Sequence, residues 1–260
     1  MNRDAKEKVN FLINDNKGAI KNPLPKLALK ANSNLLVQDL ERSKKTIAEI
    51  LVVVENYYKE LAPFIINLRK NVNDITEETH ICAVYLLMSH AVQDWKAAFL
   101  LARNGDIGSW VFIRLIKESI ALADLFVLEF RKGERKYIDK WFSGEVIGHA
   151  SCREAHEEFF KELKENEGID IKKMASEIYH MESLVIHSSY STMLESVSPF
   201  TEDFDYSGRT QYSRTSTMLP YAKGSMEAVN ISLKLIYLFL IKDAEAYENL
   251  DKILIKYSSK

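Results

Sequence analysis

The stretch VFIRLIKESIALADLFVLEFRK, Val111 to Lys132 and closed by Gly133, decides the fold. At about 100° per residue its Val, Ile, Leu and Phe fill most of the helical circumference, while Arg114, Lys117, Glu118 and Asp124 gather in one stripe beside Trp110 and Ala121. A helix from about Ile107 to Lys132 that is apolar over so much of its surface must be covered on several sides. It therefore predicts a helical bundle with this segment near the centre.

Upstream, Asp74-Ile-Thr-Glu77 has capping-box spacing and predicts a helix running to the stop signal Asn104-Gly105. Before it, Ser33 is a good N-cap for a period through Leu36, Leu40, Ile47, Leu51, Val54 and Tyr58 to Leu61, with Pro63 ending or kinking the helix. Downstream, helices are expected over about 134–142, 145–167 and 170–194, punctuated by Gly144 and Gly168. Residues 195–217 lack periodicity and predict a functional or mobile loop, and helix resumes at Leu219-Pro220 to about Ile241, followed by a last one reaching Lys256. The reading is all-α, about eight or nine helices and no strand, in a single domain over 33–260. An N-terminal arm over 1–32 is broken by Lys17-Gly18 and Asn22-Pro23-Leu24-Pro25.

Composition narrows the function. Only 9 Gly and 5 Pro in 260 residues disfavour an all-β fold, whose tight turns need them. With 35 Lys and Arg against 37 Asp and Glu, no DNA or anionic membrane is expected as partner. Two cysteines, Cys82 and Cys152, make neither a disulfide framework nor a zinc ribbon. Met1 to Asn10 carries Asp4 and Glu7 with no apolar run behind it. The stretch Ile231 to Ile241 is short and holds Lys234, so the expected location is the cytoplasm.

Two constellations could carry chemistry. The first sets the Arg114 and Glu118 pair against a later polar stripe of Tyr179, Ser183 and His187, with Ser176, His180 and Tyr190 nearby; two such stripes on apolar helices can face one another. The second is metal-like. Glu77-Glu-Thr-His80 and Glu177-Ile-Tyr-His180 share Glu-x-x-His spacing, and a di-metal bundle would add Glu118 and one of Glu49 or Glu55. With many Glu and 6 His in the chain, chance spacing competes with that reading, and no cofactor is expected. Smaller signals are the polar face of His149, Cys152, Arg153 and His156, the aromatic and Arg-bearing loop from Phe200 to Tyr221, and His90 four residues before Asp94 beside Trp95. There is no Gly-rich phosphate loop, nucleophile elbow or Cys-x-x-Cys.

The segment Trp110 to Leu125, followed by Tyr179-His-Met-Glu-Ser-Leu-Val-Ile-His187, resembles a group of bacterial helical proteins distantly related to the HEPN superfamily, over about residues 80–195. That resemblance implies a helical bundle, often dimeric, in toxin–antitoxin or phage-defence systems. Ribonuclease members of the superfamily carry Arg followed, about four to six residues on, by His; the guanidinium stabilises the phosphorane charge and the imidazole moves a proton. Here the nearest such pair, Arg153-Glu-Ala-His156, is shorter, and neither Arg103 nor Arg114 has a His close behind. The expectation is thus a non-catalytic interaction module acting as a homodimer or with a protein partner. A metal-independent ribonuclease using Arg114 and His187, with RNA as substrate and Tyr179 or Ser183 orienting the imidazole, is the alternative.

Overall fold

A computed structural model describes residues 33–106, 108–148 and 220–258, with isolated positions between 150 and 158. These residues are helical, with no strand among them. Helix α1 spans Ser33–Leu68, α2 His80–Arg103, α3 Ser109–Lys132, α4 Lys136–Phe142, α5 Pro220–Ile236 and α6 Ala244–Ser258. A 3-10 turn, Arg69–Asn71, follows α1, and a π turn, Tyr237–Ile241, follows α5.

Helices α2 and α3 form an antiparallel hairpin and pack more extensively than any other described pair. Asn104 caps α2 and Gly105 supplies the left-handed turn at φ 69°. At the other end of α3, Gly133 takes φ 68° and returns its N–H to the last turn. Both stops fall where the sequence puts them, because only glycine adopts this conformation without strain. Beneath them lies one continuous apolar core. It includes Leu61, Leu68, Met88, Trp95, Ile116 and Phe126 from the first three helices, with Leu233 and Leu250 from α5 and α6.

The structure decides or changes three points of the sequence reading. Helix α1 runs through Pro63 to Leu68. Proline removes one amide and crowds the carbonyl four residues back, which is that of exposed Lys59 and so can turn to water. Helix α2 opens at His80 rather than at the Asp74 to Glu77 box. Asp74 instead closes a turn on itself, accepting from the amide and hydroxyl of Thr76 at 2.9 Å each. Thr79 is the true cap, its hydroxyl accepting from Cys82 N at 3.3 Å. Finally, the apolar run near the C-terminus is longer than its uncharged core suggests. Ala222–Ile241 is long and apolar enough by length and composition to cross a membrane. Half of it is buried in the bundle, and its Lys234 is paired with Asp251 of α6.

The helices expected over 145–167 and 170–194 and the loop over 195–217 fall mostly or wholly outside the described residues, as does the arm over 1–32.

Candidate functional site

The polar stripe of α3 is where the sequence locates it. Arg114 Nε donates to Glu118 Oε1 at 2.7 Å, one turn along the helix, and the two side chains are 13% and 31% exposed. None of Arg114, Lys117, Glu118 and Asp124 is without a partner. A guanidinium so enclosed, with its Nε held by a carboxylate on its own helix, is fixed in direction and largely neutralised.

Lower on the same stripe, Asp124 is 1% exposed and accepts a hydrogen bond from the hydroxyl of Ser232 on α5. Burial pushes its carboxyl up to about 7, against the opposing pull of the Ser232 hydrogen bond. Near neutral pH it is therefore partly protonated, and it joins α3 to α5 without placing a full charge in the core. Cys152 is buried within electrostatic reach of this stripe. Burial first, then the carboxylates of Glu118 and Asp124, together drive its thiol up to about 11. Such a thiol stays protonated and is inert as a nucleophile. Cys152 is thus buried rather than displayed on an open polar face.

The partner stripe of Tyr179, Ser183 and His187, with Ser176, His180 and Tyr190, lies outside the described residues, as do Glu177, His149, Arg153, His156 and the loop from Phe200 to its end at residue 219, while Tyr221 is in the first turn of α5. The pair His90 and Asp94 does meet, with Nδ1 and Oδ2 3.0 Å apart. The Asp94 carboxylate is buried and the imidazole is exposed; burial raises the acid, with the neighbouring His90 pulling the other way.

The metal-like set comes apart. Glu77 is exposed in the turn before α2. His80 faces the far end of α3, its Nε2 3.2 Å from the Glu134 carbonyl and its ring 5.6 Å from that of Phe130. Glu118 lies 130 − 118 = 12 residues up the same helix from Phe130, roughly 18 Å at the helical rise. His80 and Glu118 therefore share no site. Glu55 is taken by Arg103, and Glu49 lies 3.8 Å from Lys45 at the surface. Among the described residues no three His, Cys, Asp or Glu side chains are grouped to hold a metal ion.

Sequence reasoning missed three polar features. Glu129, 2% exposed, accepts the amides of Tyr137 at 2.6 Å and Ile138 at 2.9 Å, capping α4 from the end of α3. Ser232 is the partner of Asp124. Third, Asn230 of α5 is 0% exposed with neither amide atom hydrogen-bonded, and the hydroxyl of buried Tyr57 is likewise without a hydrogen-bond partner. These two groups approach each other without reaching hydrogen-bond geometry. The available signal was the polar set Ser225, Asn230 and Ser232 inside an otherwise apolar helix, each of them buried.

Comparison with protein-family models, with curated proteins and with solved structures returns no match.

Proposed function

We propose that the chain is a non-catalytic, HEPN-like protein-interaction module of the bacterial cytoplasm, acting as a homodimer or with a protein partner. Its setting, on the resemblance, is phage defence or a toxin–antitoxin pair. The observation that carries this reading is the state of Arg114. Its side chain is 13% exposed and its Nε is held by Glu118 at 2.7 Å, which suits a group that fixes helix packing better than one that must receive a phosphate.

The competing ribonuclease, with Arg114 on the scissile phosphate and His187 as acid and base, makes the test direct. Labelled RNA incubated with the pure chain stays intact, and the chain elutes as a dimer by light scattering. RNA cleavage abolished by both His187→Ala and Arg114→Ala would overturn the non-catalytic reading.

A further inference from the structure

The link between the π turn and α6 consists of Lys242 and Asp243 alone. Lys242 adopts φ 61° and ψ 41°, and it is the one residue other than glycine with positive φ among those described. Gly105, Gly133 and Gly144 occupy the other positive-φ positions. A side chain is strained in this conformation, and YLFLIKDAEAYENL, residues 237–250, holds neither Gly nor Pro; its local stop signal is Asp243, which caps α6 through Ala246 N. Apart from that cap, local preference allows one continuous helix from α5 into α6. The cap and tertiary contact together hold it bent.

That contact is specific. Tyr257 stacks on Tyr57 with ring centroids 4.3 Å apart and planes within 5°, and its hydroxyl donates to Glu60 at 2.7 Å. Lys256 pairs with Glu60, Asp251 pairs with Lys234, and Leu250 is fully buried. Each named partner, Tyr57, Glu60 and Lys234, precedes the hinge in the chain. The seat they form also contains Tyr57 Oη and the Asn230 amide, both without hydrogen bonds. The closed arrangement thus combines a strained hinge, which exchange relieves, with an imperfectly satisfied seat, which eases opening and is the same in both forms.

We propose that α6 exchanges between two copies of this chain. Lys242 and Asp243 pass into helical conformation, α5, the π turn and α6 become one helix, and each α6 seats on α1 and α5 of the other copy. The occupant is a second copy because only the same α6 rebuilds the Tyr57 stack, the Glu60 contacts and the Lys234 pair unchanged. Short, strained hinges favour this kind of exchange. The turn gives up its Asp243 cap on Ala246 N, 3.0 Å long, and a continuous helix supplies that amide with the Lys242 carbonyl instead. This inference deepens the homodimer reading above and names the surface it uses.

The test uses the full chain with hinge variants and a cross-link. Lys242→Gly relieves the strain of the turn and is expected to shift the equilibrium roughly tenfold toward monomer. The double variant Lys242→Ala/Asp243→Ala, which favours helix through the hinge, is expected to shift it roughly tenfold toward dimer. Single variants Glu60→Cys and Lys256→Cys are then mixed and treated with a short bis-maleimide, both native thiols being buried. Exchange gives a link between different chains in the dimer fraction. The double variant Glu60→Cys/Lys256→Cys, linking within one chain, is the control for reach. A chain that stays monomeric with either hinge, or a dimer with no link between chains although the control links, overturns the proposal. A dimer built on another surface leaves the interaction-module reading standing, and RNA cleavage bears on that reading alone.

Discussion

Among the described residues, two sets of polar groups in the core are resolved in opposite ways. On α3, Asp124 meets Ser232, Glu129 meets two free amides of α4, and Arg114 meets Glu118. Between α1, α5 and α6, Asn230 and the Tyr57 hydroxyl are enclosed without hydrogen bonds. A satisfied polar group ties two helices in one register, whereas an unsatisfied one subtracts from the stability of the contact that buries it. The contrast makes the Asp124 and Glu129 contacts of α3 the rigid frame and the seat of α6 a weak region, although Trp95 Nε1 and Ser109 Oγ of the α2–α3 hairpin are also buried without hydrogen bonds.

The sharpest way to break this contrast is to empty the frame. Phe126 is 0% exposed and packs edge-on to Trp141 at 5.7 Å, so Phe126→Ala should lower stability by ~3–5 kcal/mol in urea unfolding. Next comes pH. The Asp124 carboxyl rises from 3.8 to about 7 in the fold, so it binds its proton more tightly folded than unfolded. Its contribution is fully present below about pH 4 and is lost as pH rises to about 7, up to ~4 kcal/mol in all. The difference in stability between wild type and Asp124→Asn, followed from pH 4 to 8, should carry that slope; a flat difference would show that Asp124 is not raised.

In the weak region the sign reverses. Asn230→Leu removes two unsatisfied groups while keeping the branching of the side chain, and thermal unfolding should show the variant more stable by ~1–3 kcal/mol. Smallest is Gly133→Ala. No atom lies within 4 Å of the added methyl, so only the left-handed backbone opposes it, and stability should fall by ~1 kcal/mol.

Helix positions were the most readable part of the fold, because burial repeats along them. Val111 to Phe130 told its own class, and Gly105 and Gly133 marked both ends of the central hairpin. The start of α2 was misread because Asp74 and Thr79 both have side chains able to accept an amide, and spacing alone does not say which one caps a helix. Of the two alternatives at Pro63, ending the helix is excluded, because a proline on a solvent-facing turn costs only one hydrogen bond whose carbonyl can turn to solvent. The Arg114 and Glu118 pair could be read from four-residue spacing. The Asp124 and Ser232 pair could not, since its members stand 108 positions apart and no local pattern joins them. Likewise, the metal-like set failed on where His80 and Glu118 stand along α3, a distance that the spacing of two separate motifs does not encode.

That separation has a consequence for the chain as it is made. The helices of the central hairpin are joined by a short turn, so they can close on each other as soon as both have emerged. Ser232 follows Asp124 by 108 residues, roughly 5–20 s of translation at about 5–20 residues per second. Until then the carboxyl faces water and is ionised. The nascent hairpin carries a negative charge on the apolar face that α5 will cover, and near neutral pH that charge is partly neutralised by protonation as the bundle closes over it.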